Sequence, residues 1–208
     1  MQFRPSFQSP TWRNRRVAAL SQYSPNVPIV VEQSRPQAQE IPLGPDGLYR
    51  QIPLDGLTSD ASQIVGTLNQ LAEQFGTMPE VREFTVSVLG LVANNDISQQ
   101  VYVIADFVRS KMIYVLDPAG TEYIISPCRL IEQIQTQGYS HGDCDDHVLL
   151  LNSMLRSIGL NAVAVAVKLY QADYHDHVIS SVDINGVWRD IDPCAKNGYQ
   201  PTYTQQVR

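Results

Sequence analysis

Between His141 and His147 the chain reads His-Gly-Asp-Cys-Asp-Asp-His, placing two imidazoles, a thiol and three carboxylates immediately ahead of the apolar run Val148–Leu151. Two kinds of chemistry suit such a cluster. Zinc takes three or four ligands at compact spacing, and Cys144 with His141, His147 and an aspartate supplies the right types. The paired Cys or His spacing of a zinc finger is missing, however, and on a helix 144 and 147 are neighbours while 141 precedes the helix start. The second kind is nucleophilic catalysis. A cysteine in the first turn of a helix sits at the positive end of the macrodipole, which favours thiolate over thiol. Gly142 just before it lets the backbone approach a substrate closely. Such a nucleophile needs a base, and the base needs an orienting partner.

All four histidines (His141, His147, His175, His177) and all three cysteines (Cys128, Cys144, Cys194) lie between positions 128 and 194. A hairpin in this region selects a base and its partner. Asn185-Gly186 is a strong two-residue turn signal between the apolar segments "HVISSVDI" and "VWRDID". That turn pairs Ile184 with Val187 and therefore Ile179 with Asp192. His177, two residues along on the same face, is a diagonal neighbour of Asp192, about 7–8 Å away at the backbone and within reach of a side-chain hydrogen bond. Asp190 falls opposite Ser181, and His175 lies two residues further off. The register thus favours His177 and Asp192.

Several residues in this region carry simpler expectations. His141 and His147 are expected to be solvated or capping, Asp143, Asp145 and Asp146 to complement the helix dipole, Trp188 to be core, and Cys128 and Cys194 to be inert thiols. Three scattered cysteines do not make a disulfide framework.

The elements that must hold these groups follow from periodicity. Ile64, Val65, Leu68, Leu71, Ala72 and Phe75 recur at helical spacing and predict a helix over 59–75. Val81–Ala93, whose Thr and Val content also leaves a strand open, and Ile97–Met112 predict two more, making three helices without chemistry that serve as scaffold. Ser126 and Pro127 read as N-cap and first residue of a short helix through Ile134, ended by Gly138. "CDDHVLLLNSMLRSI" is a buried helix stopped by Gly159, and "NAVAVAVKL" is a strand buried on both faces. Helices precede an antiparallel sheet, so the class is α+β.

The 208 residues, 43% of them hydrophobic, suit one domain with an appendage. Eight of the thirteen prolines fall in residues 1–56, where neither helical nor alternating patterns survive. The expected organisation is an extended Pro-rich arm, 1–56, followed by an α+β domain, 57–208. The arm holds six Arg against four acidic residues and the remainder nine basic against seventeen acidic, so +2 and −8 make up the net charge of −6. An acidic body argues against nucleic-acid binding by the body, while a mildly basic arm is compatible with an acidic protein surface or a nucleic acid. No run approaches a membrane span, and "MQFRPSFQSPTWRNRRVAAL" lacks the apolar core of a signal peptide. Neither membrane insertion nor secretion by the general route is expected.

In order, "GDCDD" at a helix start, "SMLRSIGLNAVAVAV" and "HDHVISSVDINGVWRDIDP" resemble the transglutaminase-like branch of the papain-like cysteine enzymes, over roughly residues 95–195. The family pattern is a Gly-x-Cys-x-Asp helix, a His on one strand and an Asp on the next. The resemblance implies a papain-like core, with Cys144 as nucleophile, His177 as base and Asp192 as its orienting partner. It also implies a structural Asp146, a protein or peptide substrate, and neither cofactor nor metal. Many members have an aromatic residue two positions after the histidine, where this chain has Ile179. "GTEYIISPCRLIEQI", "GDCDDH" and "HDHV" are most similar to versions encoded by tailed bacteriophages. That similarity implies a location in the virion or the bacterial host cytoplasm. It also leaves open a structural virion component that uses the fold as an assembly block, with phage structural proteins contacted through residues 1–45.

Ordering an extended arm costs roughly 1–2 kcal/mol per residue of backbone entropy, and the short apolar pieces Val27–Val31 and Ile41–Leu43 offset that only by burial against another surface. Limited proteolysis of the isolated protein is therefore expected to remove residues 1–45 and leave the chain from Thr58 onward intact. An arm that resists protease in a monomer would overturn the assembly role.

Overall fold

The computed structural model describes residues 48–51, 57–90, 92, 96–117, 123–169, 177–195 and 203–207, all within one unit spanning residues 31–208. The expected arm contacts of residues 1–45 lie outside the described residues. Three helices come first: α1 (Leu57–Gly76), α2 (Pro79–Leu89) and α3 (Ile97–Lys111). Pro79 occupies a position where a missing N–H costs nothing, and Asp96 caps α3 by accepting from the Gln99 N–H at 3.0 Å. Two short helices follow, α4 (Pro127–Gln137) and α5 (Cys144–Ser157). Ser126 caps α4 as expected, accepting from the Arg129 N–H at 3.1 Å, and Gly138 ends it in the left-handed region.

The strands are β1 (Leu48–Gln51), β2 (Met112–Tyr114), β3 (Tyr123–Ile125), β4 (Ser140–Gly142), β5 (Ala162–Leu169), β6 (His177–Ile184), β7 (Val187–Ile191) and β8 (Tyr203–Val207). The last four form an antiparallel sheet in the order β7-β6-β5-β8. The architecture is α+β, with helices ahead of the main sheet. β1 pairs with β3 antiparallel and β2 with β4 parallel, two small ribbons that periodicity did not signal because each contributes only three or four residues.

α5 is the centre of the core. Its residues from Asp145 to Leu155 are all buried, and it packs on α1, α2, α3, α4, β5 and β6. β5 meets this layer with a face of small side chains, Ala162, Ala164 and Ala166, which lets the helices approach closely. Its other face carries Val165 and Val167, packed with Ile179 of β6 in a second cluster. The alternation is therefore small residues toward the helices and branched ones away. Where β5 runs past β8, Asn69 of α1 takes the Ala164 N–H at 2.7 Å, so the ladder's end stays satisfied. The hairpin turn has the positive φ angles of 55° at Asn185 and 82° at Gly186 that a two-residue turn needs, and the β6-β7 register pairs Ile184 with Val187 as read from the sequence. Trp188 departs from expectation: it is exposed, because both faces of β7 look outward.

His147 is a second correction. Far from solvated, it is 2% exposed, with Nδ1 2.6 Å from the Asp143 carbonyl and its ring 5.9 Å from that of Tyr114. Burial pushes the imidazole from 6.5 down to about 4, against the opposing pull of the Asp143 carbonyl and Asp192. A folded value below the unfolded one contributes stability that is fully present above pH 6.5 and lost as pH falls toward 4. Asp117 acts with the opposite sign, since burial raises its carboxyl to about 6 and the cost of its charge is relieved as pH falls through that value. A comparison with His147→Asn cancels the Asp117 contribution and keeps an amide donor near the Nδ1 position. The stability advantage of the wild type over this variant, measured by urea unfolding, is expected to shrink by roughly 3 kcal/mol between pH 7 and pH 4. A pH-independent difference would show that the buried ring is not held neutral.

Candidate active site

Asp143, the N-cap of α5, accepts from the Asp145 N–H at 3.1 Å, and Cys144 is the first residue of the helix, as its position after Gly142-Asp143 predicted. The Cys144 thiol donates to Asp145 Oδ1 at 3.6 Å and remains partly exposed. Asp146 has a different task. Its Oδ1 accepts from the Ile125 N–H at 2.7 Å, fastening β3 to the helix start. Gly142 owes its identity to the same side chain: a Cβ there would meet Asp146 Cβ at 2.6 Å and Cγ at 2.8 Å. The glycine thus makes room for an internal carboxylate, a use of its small size that the sequence reading had assigned to substrate approach.

The second half of the site comes from the hairpin. His177 opens β6 and Asp192 follows the last residue of β7, both about 5% exposed, and His177 Nε2 lies 3.0 Å from Asp192 Oδ2. The diagonal pair drawn from the turn register is therefore a hydrogen-bonded pair. Asp192 is fixed at three atoms. Oδ2 meets the imidazole, Oδ1 accepts from the Cys194 N–H at 2.8 Å, and its carbonyl accepts from Arg109 Nε at 3.1 Å and Nη2 at 2.9 Å. Arg109 stands in the last turn of α3, so a helix expected to be pure scaffold supplies a site contact. Nothing in the sequence signalled it, since the partner lies 83 residues away. The bond to Cys194 did have a local signal, an aspartate followed by proline and a residue two positions on.

The two halves occupy one neighbourhood. α5 packs on β6, the charges of Asp192 and His177 act on the His147 ring, and those of Asp143 and Asp145 act on Cys194. Burial, followed by Asp192, Asp143 and Asp145, pushes the Cys194 thiol well above its ordinary value. Burial and Glu80 push Cys128 up as well. His141 is exposed on β4, and His175 lies outside the described residues. The zinc set considered from the sequence, His141 and His147 with Cys144, is not assembled, because His147 Nδ1 is engaged with a carbonyl and the ring is enclosed. Two other groups bring metal-ligand atoms within 4.8 Å of one another: His177 with Asp192 and Cys194, and Asp143 with Cys144 and Asp145.

A cysteine at a helix N-terminus, a buried imidazole and a carboxylate on one ring nitrogen are the types of group that nucleophilic catalysis with an acid–base partner requires. Among the described residues, no helix is long and apolar enough to cross a membrane. No protein-family model matches the chain, and no curated protein matches it. Two solved structures are similar to part of it. One is a candidate cysteine protease from Cytophaga hutchinsonii, 16% identical, covering 61% of this chain and 41% of that one with a TM-score of 0.44. The other is a candidate protease from Parabacteroides distasonis ATCC 8503, 15% identical, covering 62% and 26% with a TM-score of 0.43. The chain spans less than half the length of either protein.

Proposed function

We propose that the protein is a cysteine-dependent acyl-transfer enzyme of the transglutaminase-like type, with Cys144 as nucleophile, His177 as base and Asp192 as the base's positioning partner. The observation that carries this reading is the buried His177–Asp192 hydrogen bond at 3.0 Å. With Nε2–H donated to the carboxylate, Nδ1 is the nitrogen with a lone pair, and the ring is held in that tautomer. His177 Nδ1 takes the Cys144 proton as Sγ attacks an amide or ester carbonyl. Negative charge on sulfur and on the carbonyl oxygen is stabilised by the helix dipole and the backbone N–H groups at the start of α5. The carbon–nitrogen or carbon–oxygen bond breaks as His177 returns the proton to the leaving group. Water or an amine then attacks the thioester, gives its proton to His177 and releases Cys144 as the carbon–sulfur bond breaks. A protein or peptide is the substrate class that suits this chemistry.

The second reading, a structural virion component in which the same fold is an assembly block, is favoured by the proline-rich composition of residues 1–45 and by the resemblance to phage-encoded versions. It is compatible with a triad that is intact but idle. In that reading the arm, not Cys144, carries the function.

Cys144 is expected to react with iodoacetamide faster than Cys128 and Cys194 in the native protein, because burial and carboxylates keep the latter two protonated. His177→Ala slows Cys144 by ~10²-fold or more, the scale of a lost general base. Equal and sluggish labelling of all three thiols would sink the acyl-transfer reading.

Arg109 is a positioning residue, acting through the Asp192 carbonyl. Arg109→Ala is expected to lower the alkylation rate of Cys144 by about 10- to 100-fold and to shift its pH profile, as a loosened partner changes the base. Arg109→Lys restores part of the rate. A variant that melts at lower temperature but keeps the wild-type pH profile would assign Arg109 to stability alone.

A further inference from the structure

The turn Asp192-Pro193-Cys194 presents a carboxylate and a thiol two residues apart, beside the ring of His177. One ligand atom from each of these residues lies within 4.8 Å of the others. Around a tetrahedral zinc ion, bonds of ~2.0–2.3 Å place nitrogen, oxygen and sulfur ligands ~3.3–3.7 Å apart, so the three groups close on an ion with shifts of about an ångström. The His177 Nε2 to Asp192 Oδ2 separation of 3.0 Å is already near that spacing. A mixed imidazole, carboxylate and thiolate set suits zinc better than magnesium or calcium, which prefer oxygen alone.

The surroundings add to the geometry. Asp143, Asp145 and Asp192 all act electrostatically on Cys194, with Arg109 the opposing cation. Arg109 Nε and Nη2 donate to the Asp192 carbonyl, which fixes the backbone that carries the carboxylate. The Cys194 N–H holds Oδ1, so Oδ2 is the oxygen turned toward the imidazole. Fixed outer contacts of this sort pre-set metal ligands.

We propose that His177, Asp192 and Cys194 form a binding site for a thiophilic divalent cation, zinc fitting best, with solvent completing the tetrahedron. Binding replaces the His177–Asp192 hydrogen bond by two metal bonds. The imidazole proton moves from Nε2 to Nδ1, and the Cys194 thiol releases its proton to solvent. Ring Nδ1 is then protonated and cannot accept from Cys144, so the ion switches off nucleophile activation. That last consequence rests on the acyl-transfer reading, whereas the metal site does not.

Cobalt(II) is the probe that separates the two, since thiolate-to-cobalt charge transfer in the near ultraviolet reports sulfur ligation whatever the activity. One equivalent of cobalt is expected to produce this band in the wild type and in Cys144→Ala, and not in Cys194→Ser. Absence of saturable binding, persistence of the band in Cys194→Ser, or its loss in Cys144→Ala would each overturn the site. In case Cys194→Ser misfolds, alkylation of the wild type mapped by mass spectrometry gives a second readout: zinc slows Cys194 and leaves Cys128 unchanged. An unchanged Cys194 rate at saturating zinc would overturn the proposal as well. If zinc protects Cys194 while Cys144 reacts at its metal-free rate, the site stands and the switch fails. If zinc also slows Cys144 by ~10²-fold, the switch stands.

Discussion

A helix that enters a protein interior N-terminus first brings backbone N–H groups without intrahelical partners to a place where water is scarce. α5 does this with Asp143, Asp145, Asp146 and His147 all buried. The Asp143 carboxylate meets part of the demand by taking the Asp145 N–H, while the Asp143 carbonyl takes the first intrahelical bond, from the His147 N–H, and engages the His147 ring as well. Once that first turn is fixed, other elements are fixed to it. Asp146 draws in β3 through Ile125, and its packing against Gly142 holds β4, which pairs in turn with β2. The exposed edge of this arrangement is where Cys144 emerges, at the favourable end of the dipole.

Asp192 plays the matching part on the sheet side. A carboxylate buried beside an imidazole is costly unless its lone pairs are used, and here one oxygen serves the ring while the other ends the turn at Cys194. The two bonds from Arg109 go to the carbonyl, so a side chain from the third helix sets the backbone that sets the carboxylate. Loosening α3 therefore reaches His177 through two intermediates. The His177–Asp192 pair is thus set by contacts from α3, from β6 and from the turn after β7 that converge on one residue.

The sheet allows the two halves to meet. Alanines at 162, 164 and 166 permit α5 to lie close to β5, and Ser180 of β6 reaches Asn152 of α5 at 2.5 Å across the same face. Larger residues at those alanine positions would lift the sheet off the helix and separate His177 from the helix start. Val165, Val167 and Ile179 close the opposite face. Ile179, where the resembling family often has an aromatic residue, is fully buried there.

What the sequence by itself determined is local. The five helices and the main hairpin were legible because their signals are short in range: apolar spacing, Ser126-Pro127, Gly138, Gly159 and Asn185-Gly186. The link from His177 to Asp192 was legible too, because one two-residue turn sets the register of every pair above it. Trp188 was misread, since alternation shows which residues share a face but not whether anything covers that face. His147 was misread because nothing local distinguishes a capping histidine from one enclosed by Tyr114 and the core. Only the tertiary structure decided that Gly142 yields to Asp146, that Arg109 holds the Asp192 carbonyl, and that Cys194 stands beside His177. Each of these depends on how separate elements pack, and the spacing of residues along a chain carries little information about such packing, least of all for Arg109 and Asp192, which are 83 positions apart.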